Sequence, residues 1–413
     1  MKILIVTQYF WPEAFRVNDV ALGLKELGHQ VTVLTGLPNY PEGRFSAGYG
    51  LLGPWRDSYQ DIPVIRVPLI PRGRGGSVRL ALNYISFILS ASLSGPLRIR
   101  RDFDAILVYG LSPIFVALPG LLLKWLRGAP LLIWVQDLWP ESVAATGAVR
   151  SPWILSLMER VVRFIYRHSD RILIQSMTFR EQVERLGGKK ESVVYLPNSA
   201  EELYRPLKPE ECAAQRASLP PGFLVMFAGN IGTAQSFETI IAAADALRDL
   251  ADIQWIVLGE GRAREWAAGE AARRGLGGRI HFLGRHPVET MPKFFALADV
   301  LLVTLKRDPL FAMTIPSKLQ SYLACGRPVV AALDGEGAKI LKEAEAGIAC
   351  PAEDSEALAD AVKRLYRMPS PERDAMGARG RHYFEAEFER GVLLRRLGGT
   401  LEAMVREKTP CAS

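Results

Sequence analysis

Short apolar runs alternate with amphipathic stretches through most of this 413-residue chain. In the clearest case, Ile3–Thr7 predicts a buried strand, and residues 17–27 then carry apolar side chains at helical spacing before Gly28. Val31–Thr35 predicts the strand that follows. A strand, a helix and a strand in this order form a βαβ unit, and its repetition predicts parallel sheets covered by helices. The expected fold class is therefore α/β.

A proline-rich stretch at residues 197–222 interrupts this alternation, which then starts again. Because the chain is longer than a single domain usually is, we predict two Rossmann-like domains, at residues 1–200 and 201–387. Two such domains would leave a cleft between them, and open parallel sheets bind ligands at the carboxyl ends of their strands. The further predicted strands are Val64–Val67, Ala105–Tyr109, Leu131–Val135, Arg171–Ile174, Val193–Leu196, Leu224–Phe227, Ile253–Leu258, Ile280–Phe282, Val300–Val303 and Val329–Ala332.

Cysteine and histidine are sparse. The four cysteines lack CxxC spacing, which favours a reducing compartment over a disulfide framework or a zinc site; they are Cys212, Cys325, Cys350 and Cys411. The five histidines show no metal-ligand spacing, so we predict no metal and no cofactor. The apolar run at the start is too short for a signal peptide. Together these features predict a cytoplasmic protein.

The region from Arg72 to Arg127 is basic and unusually apolar. It contains eight Arg or Lys residues and two Asp residues, in a chain of net charge +7. Residues 80–97 and 105–123 lack charges and approach the length of a membrane span. Neither is predicted to be one: the first contains Asn83, four serines and Gly95-Pro96, and the second is cut by glycines and prolines, as expected for strand, loop and helix. One interpretation is a monotopic surface that meets anionic lipid. The other is an ordinary core helix with a solvated basic face.

Three glycine-containing segments follow predicted strands of the second domain. Residues 228–233 lie between a strand and a helix, where glycines and free helix amides can receive a phosphate. Residues 259–261 and 283–285 end two further strands. Arg285 would face a base or a phosphate there. The alternatives are a simple tight turn at residues 228–233 and a solvated surface arginine at 285.

A predicted helix after Pro316 carries polar residues at its start. Pro316 suits the first helical turn and Gly326 the helix end, so Ser317 and Lys318 lie where helix amides favour an anion such as a diphosphate. Ser321 follows on the same helical face and would reach a ribose hydroxyl. The alternative is a surface helix with a solvated lysine.

Two carboxylates follow the predicted strand at residues 131–135. Asp137 and Glu141 lie beside Trp134 and Trp139, so the carboxylates would orient a sugar hydroxyl or stabilise a developing cation while the rings stack on sugars. The alternative is a helix N-terminus that these acidic residues cap.

The order of these segments, over nearly the whole chain, resembles the retaining family 4 glycosyltransferases of GT-B fold. It is most similar to the branch that builds colanic acid, O-antigen and capsule, which includes fucosamine transferases. The segments that carry the resemblance are Gln8–Asn18, Val135–Ser142, Leu196–Asn198, Ala228–Gln235, Gly259–Gly261, Phe282–Arg285 and Pro316–Pro328.

The resemblance implies that the second domain binds a nucleoside-diphosphate sugar and the first an acceptor. It implies that a C-terminal helix, within residues 388–413, packs back on the first domain. Retention by front-face attack is implied too, with the departing diphosphate helping to deprotonate the acceptor. The implied catalytic residues are Asp137 and Glu141, the implied acceptor-binding residues are Glu13, Arg16, Asn18 and Trp139, and the implied donor-binding residues are Gly229, Asn230, Gly232, Gln235, Glu260, Arg285, Lys306, Ser317, Lys318 and Ser321.

Five positions depart from the family pattern. Met313 and Ser321 stand in place of paired glutamates, and Asn230 and Gln235 replace the usual phosphate-binding Arg and Lys. Gln136 replaces a frequent histidine. We therefore expect Lys306, Lys318 and loop amides to supply the charge that holds the phosphates.

Our main hypothesis is transfer of a sugar, from a UDP-sugar by preference, to a lipid-linked saccharide in bacterial surface polysaccharide biosynthesis. The expected partners are the donor, a polyprenyl-diphosphate-linked acceptor and the anionic inner face of the plasma membrane, with no nucleic acid. One alternative is an isomerase that resembles the sugar-nucleotide 2-epimerases. The other is a non-catalytic nucleotide-sugar-binding partner of a membrane glycosylation complex, suggested by the five replaced positions.

Overall fold

The computed structural model describes residues 1–73, 76–99, 102–145, 149 and 151–408, so Cys411 lies outside the described residues. The chain divides into two compact units. The first unit is Met1–Pro197 with Leu393–Ser413, and the second unit is Asn198–Val392. Each unit contains one largely parallel sheet covered by helices, which confirms the α/β class and the two Rossmann-like halves.

The strands of the first unit are β1 Lys2–Val6, β2 Gln30–Gly36, β3 Arg56–Tyr59, β4 Ile62–Val67, β5 Ala105–Gly110, β6 Leu131–Val135, β7 Arg171–Ile174 and β8 Val193–Tyr195. Its helices are α1 Arg16–Glu26, α2 Ser77–Arg98, α3 Ala117–Arg127, α4 Glu141–Ala145, α5 Pro152–His168 and α6 Phe179–Arg185. The sheet order is β3-β4-β2-β1-β5-β6-β7-β8. Only the β3–β4 pair is antiparallel.

The strands of the second unit are β9 Phe223–Ala228, β10 Ile253–Leu258, β11 Ile280–Gly284, β12 Val300–Thr304, β13 Val329–Ala332 and β14 Gly347–Cys350. Its helices are α7 Ala213–Arg216, α8 Phe237–Ala246, α9 Arg264–Arg273, α10 Met291–Leu297, α11 Pro309–Ala312, α12 Ser317–Ala324, α13 Glu336–Glu343, α14 Ser355–Arg367 and α15 Ser370–Glu387. The sheet order is β11-β10-β9-β12-β13-β14, with all pairs parallel. A last helix, α16 Arg390–Lys408, follows.

Central strands are buried along their whole length, as sheets covered on both faces require. Every residue of β5, β6 and β9 is buried. The short edge strands β3 and β14 were not predicted; both are partly exposed, and β3 has no apolar run.

Helix α16 packs within the first unit although it comes last in the chain. Its buried side chains Leu393, Leu397 and Leu401 join the core built by β1, β2 and α1. At Gly23 of α1, an added Cβ would lie 2.2 Å from Leu394 Cδ1, so the absence of a side chain lets the two helices approach. The C-terminal segment therefore completes the hydrophobic core of the first unit.

Helix α2 covers the whole of residues 80–97. It runs from Ser77 to Arg98 and includes Gly95 and Pro96 in its last turn, as a helix was expected in both interpretations of this stretch. Residues 105–123 do divide into a strand, a 3-10 turn at Ile114–Val116 and a helix, as predicted.

Candidate functional site

A cavity of about 850 Å³ opens in the second unit at the carboxyl ends of β9, β10 and β11, beside the start of α12. This is the edge at which parallel sheets bind ligands. Seven of the ten predicted donor-binding residues line it, namely Gly229, Asn230, Glu260, Arg285, Ser317, Lys318 and Ser321.

Lys318 lies mostly buried in the first turn of α12, with no ion-pair partner among the described residues. Its Nζ is 3.7 Å from the centroid of the Phe227 ring. Burial lowers the pKa of the Lys318 amine to about 7, since little offsets the loss of water around the charged form. An anion at this position would supply the missing counter-charge.

Glycines follow β9 and β10 at points where other atoms approach the backbone closely. The Lys318 side chain approaches Gly229, and the Gly229 backbone approaches Gly259. At Gly229, with φ +132°, an added Cβ would lie 2.5 Å from Lys318 Cε. At Gly259, with φ +142°, it would lie 1.9 Å from the Gly229 carbonyl oxygen. Both backbones therefore need glycine for conformation and for space.

Three other predicted donor-binding residues do not line this cavity. The Gln235 side chain accepts a hydrogen bond from the Gly232 amide at 3.1 Å and so closes the loop after β9. Lys306 Nζ lies 3.7 Å from Glu238 Oε1. Gln235 and Gly232 thus shape the loop, and Lys306 has a carboxylate partner of its own.

The other end of the cavity is aromatic, and no sequence motif pointed to it. Tyr204 stacks on Phe295 with ring centroids 5.8 Å apart, and its hydroxyl bonds to Ser321. Met291 and Val288 continue the apolar lining. Tyr204 comes from the proline-rich stretch and Phe295 from α10, so no local sequence pattern links them.

In the first unit, Asp137 lies just beyond the carboxyl end of β6. Ser112 donates a hydrogen bond to the Asp137 carboxylate, and the Trp139 indole donates to the Ser112 hydroxyl at 3.1 Å. Burial raises the pKa of Asp137 above its usual value. Trp139 is 6 % exposed and Trp134 is 4 % exposed, so little of either ring is left to stack on a sugar. In this structure Trp139 positions Asp137 through Ser112.

Glu141, the second predicted catalytic carboxylate, begins α4. It accepts hydrogen bonds from Gln182 and from Arg185, which lies 3.1 Å away. Both partners belong to α6, so Glu141 joins two helices. This is close to the alternative interpretation of an acidic residue at a helix start.

The predicted acceptor-binding residues Glu13 and Asn18 hold the loop after β1. Glu13 is 5 % exposed, and its Oε1 accepts hydrogen bonds from the amides of Asn39 and Tyr40, both at 2.7 Å. The Asn18 side chain bonds to the backbone of Trp11 and of Glu13. Burial raises the pKa of Glu13 to about 7, although these backbone bonds oppose the shift. The contacts fix the loop.

Arg16, the remaining predicted acceptor-binding residue, begins α1 and is partly exposed. Within the described part of the chain, no group of three or more His, Cys, Asp or Glu side chains is placed to hold a metal. The expectation that no metal is needed stays a prediction.

Two family profiles cover most of the chain. The profile of the glycosyl transferase 4-like domain matches residues 14–199, and that of the glycosyl transferases group 1 matches residues 222–368. The first match lies almost entirely in the first unit and the second entirely in the second. The chain belongs to the family 4 glycosyltransferases of GT-B fold.

Curated relatives of this glycosyltransferase are themselves named as glycosyltransferases. It is 26 % identical over 340 residues to the "Putative colanic acid biosynthesis glycosyl transferase WcaI" of Escherichia coli K12, covering 79 % of this chain and 82 % of the relative. It is 24 % identical over 352 residues to the "Probable glycosyltransferase WbjE" of Pseudomonas aeruginosa, covering 84 % and 86 %. The chain is therefore a glycosyltransferase of polysaccharide biosynthesis.

Solved structures share the fold at low sequence identity. Anabaena Alr3699/HepE in complex with UDP matches with a TM-score of 0.72 and 15 % identity, covering 98 % of this chain and 100 % of that one. Sucrose-phosphate synthase from Thermosynechococcus elongatus matches with a TM-score of 0.74 and 18 % identity, covering 98 % of both chains. These likenesses confirm the GT-B fold.

Gly229→Ala tests the close approach of the Lys318 side chain to the end of β9 in this glycosyltransferase. We expect donor affinity to fall by about 10-fold, because the new methyl group must push Lys318 aside and the positive φ is strained by about 1–3 kcal/mol. Isothermal titration with a nucleoside-diphosphate sugar measures the change. Gly277→Ala is the control, since no atom lies within 4 Å of its added Cβ. Equal affinities for the two variants would contradict the predicted contact.

Proposed function

We propose that this glycosyltransferase moves a sugar from a nucleoside-diphosphate sugar, UDP-linked by preference, to a lipid-linked saccharide with retention of configuration. We further propose a place in O-antigen or capsule-type synthesis at the cytoplasmic face of the membrane. The observation that carries the donor assignment is Lys318, a mostly buried ammonium without an anion partner among the described residues, at the edge of the 850 Å³ cavity.

A diphosphate suits the wall of the cavity around Lys318. The amides of the first turn of α12 have no partners within the helix and add positive potential. Gly229 and Gly259 keep side chains out of the strand ends, so a phosphate can approach the backbone closely. Lys318, on α12, would thus supply the positive charge that other family members carry at the positions of Asn230 and Gln235, in the loop after β9.

The nucleoside would lie towards the aromatic end. Tyr204 and Phe295 offer apolar surface, and Ser321 offers a hydroxyl for the ribose. Arg285 is exposed at the rim and can meet a base carbonyl or a phosphate. The preference for UDP is supported by the Anabaena neighbour, which was solved in complex with UDP.

In the proposed reaction, the bond between the sugar anomeric carbon and the diphosphate oxygen breaks, and the acceptor oxygen bonds to the same carbon on the same face. The acceptor proton passes to the departing diphosphate. Lys318 and the α12 amides stabilise the negative charge that develops on that diphosphate. Asp137, with its raised pKa, would orient the acceptor hydroxyl.

The test is turnover of a panel of UDP, GDP and dTDP sugars with and without bacterial membrane lipid. We expect release of the nucleoside diphosphate only when donor and lipid acceptor are both present. A changed sugar after incubation with donor alone, seen by NMR, would favour an isomerase. Donor binding without turnover of any panel member would favour a non-catalytic partner.

Donor affinity should depend on pH through Lys318. Its pKa of about 7 in the free protein would rise when a diphosphate binds, so binding takes up a proton. Affinity is then highest below pH 7 and falls as the pH rises, by roughly 10-fold between pH 7 and about pH 9. Titration calorimetry with a nucleoside-diphosphate sugar measures this. A flat profile in that window would contradict the assignment.

The membrane assignment is supported by an exposed apolar surface on the first unit. Helices α2 and α3 pack together, as do α3 and α5, and the Trp125 and Phe164 rings join the last two at 6.0 Å. We define the apolar face as the exposed residues Val78, Leu82, Ile85, Leu89, Leu93, Leu97, Trp125, Leu126, Trp153, Ile154, Leu157 and Phe164.

Charge around the apolar face suits an anionic bilayer. Neither α2 nor α3 contains an Asp or Glu, and the one acid of α5, Glu159, is paired with Arg163. Helix α2 has the length and hydropathy of a membrane span. It nevertheless packs on β2 and β4 along one side, as a surface helix does. Most of its apolar residues remain exposed on the other side. We propose that it lies in the membrane interface.

Charged substitutions on α2 test this surface. Leu89 is 56 % exposed and Leu93 is 74 % exposed, so Leu89→Glu with Leu93→Glu should leave the fold intact. We expect co-sedimentation with phosphatidylglycerol vesicles to weaken by at least about 10-fold, because two leucines leave the bilayer and two like charges approach it. Trp266→Glu, at an apolar side chain of the second unit that is 46 % exposed, is the control. Unchanged sedimentation of the double variant would argue against a membrane contact.

A further inference from the structure

Helix α2 has a polar inner side as well as an apolar outer one. Asn83 is fully buried, and its side chain accepts a hydrogen bond from Gln8 Nε2 at 2.7 Å and donates one to the Ile70 carbonyl at 2.7 Å. Its amide also bonds to Asn39, whose Oδ1 accepts from the Arg72 amide at 3.0 Å. The inner side of α2 therefore fixes the loops that follow β1, β2 and β4.

These loops bring Arg72 to a group of aromatic hydroxyls. The Arg72 guanidinium lies 5.0 Å from the centroid of the Tyr40 ring, and it acts electrostatically on the Tyr9 and Tyr84 hydroxyls. Tyr9 is buried and faces Tyr84, and Tyr84 also interacts with Asp137. Arg72 thus lies in the same polar group as the predicted catalytic carboxylate.

A cavity of about 700 Å³ opens beside Arg72. Tyr40 and Glu42 line one side, and Ser77 and Leu80 of the first turn of α2 line another. Glu42 is exposed and makes no ion pair with Arg72. Among the described residues Arg72 has no carboxylate partner, whereas the nearby Arg66 is paired with Asp57.

The apolar face begins at this same cavity. Val78 and Leu82, on the first turns of α2, are 75 % and 45 % exposed. A molecule that carries an anion next to a hydrocarbon chain would match this arrangement, with the anion at Arg72 and the chain along α2. A free sugar or a free nucleotide would not use the apolar part.

We propose that Arg72, with the hydroxyl of Tyr84, binds the phosphate that joins the lipid to the saccharide in the acceptor. The proposal rests on the proposed function for the identity of the acceptor. It places the phosphate at the start of α2 and the saccharide towards Asp137. Arginine suits this task because its planar guanidinium donates several hydrogen bonds to phosphate oxygens.

Direct binding of farnesyl diphosphate tests the proposal without requiring turnover. The measurement uses the Lys318→Met protein in detergent solution without vesicles. The substitution weakens binding of the diphosphate in the donor cavity, so the signal reports the site at Arg72. We expect Arg72→Gln to weaken binding by about 10-fold and Tyr84→Phe by about 3-fold, with Arg72→Lys in between. Arg98→Gln, at the far end of the same helix, should leave the affinity unchanged.

Two further probes separate the sources of phosphate. Inorganic pyrophosphate, which lacks the hydrocarbon chain, should bind the parent protein far more weakly than farnesyl diphosphate does, and equal binding of the two would overturn the match to a chain along α2. Phosphatidylglycerol vesicles should bind the Arg72→Gln variant as they bind the parent protein, because their headgroups do not carry a diphosphate on a single chain. Unchanged binding of farnesyl diphosphate to Arg72→Gln would overturn the proposal. An equal loss with the vesicles would assign Arg72 to phospholipid headgroups and would overturn it as well. Failure of the turnover panel, with this binding intact, would count against the proposed function alone.

Discussion

Lys318→Met is expected to weaken binding of a nucleoside-diphosphate sugar by about 100-fold, or ~2.7 kcal/mol. Lys318 lines the cavity, and its Nζ lies over the Phe227 ring. It has no carboxylate partner among the described residues. Its loss therefore removes the charge that meets the diphosphate. Methionine keeps a similar apolar stem. Calorimetry with the donor that turns over, or with UDP, measures the change.

Two comparisons make this prediction specific. Lys306→Met should change the affinity by less than about 3-fold, because Lys306 lies outside the cavity lining and is near Glu238. Lys318→Met should also leave thermal stability equal or higher, because it removes a mostly buried charge that lacks a partner. Loss of binding with loss of fold would instead indicate a structural role. A larger effect of Lys306→Met would move the diphosphate to the other lysine.

Glu13→Ala is expected to destabilise the first unit by about 3 kcal/mol. The carboxylate accepts hydrogen bonds from three backbone amides, those of Phe10, Asn39 and Tyr40, and alanine leaves them unsatisfied in a buried place. The first thermal transition measures the loss. Binding of UDP should be retained below that transition, because the donor cavity belongs to the second unit.

Glu13→Gln is the matched variant. Its amide oxygen can keep the two 2.7 Å bonds to Asn39 and Tyr40, so we expect a cost of only about 1 kcal/mol. The folded pKa of Glu13, about 7, is above its unfolded value of 4.5, so the folded state holds the proton more tightly. Protonated Glu13 therefore adds to the free energy of unfolding below pH 4.5, and this added stability is lost as the pH rises through 7. Glu13→Gln should remove this dependence, and equal stability of the Ala and Gln variants would refute the role of the amides.

The donor cavity was largely predictable because its residues follow strands. Parallel strands with crossover helices place their carboxyl ends at one edge, so the glycines after β9 and β10 and the start of α12 had to meet there. The roles of Gln235 and Lys306 were not predictable. Each depends on a partner, the Gly232 amide or Glu238, that the course of a loop brings within reach. Tyr204 and Phe295 were missed for the same reason.

The acceptor side was less predictable. The sequence singled out Glu13, Asn18 and Trp139, and the structure engages all three in hydrogen bonds that hold loops or Asp137. Arg72 and Tyr84 carried no motif. Their importance comes from contacts among helix α2 and the loops after β1, β2 and β4, which lie tens of residues apart in the chain.

By itself, the sequence determined the α/β class, the two halves and the segments that end at the ligand-binding edge of the second sheet, because hydrophobic periodicity and glycine placement are local properties. It also placed Lys318 at a helix start. Only the tertiary structure decided that this lysine is mostly buried without a carboxylate partner and that α2 is apolar outside and polar inside. Desolvation and pairing depend on which distant residues are neighbours, and no local pattern records that.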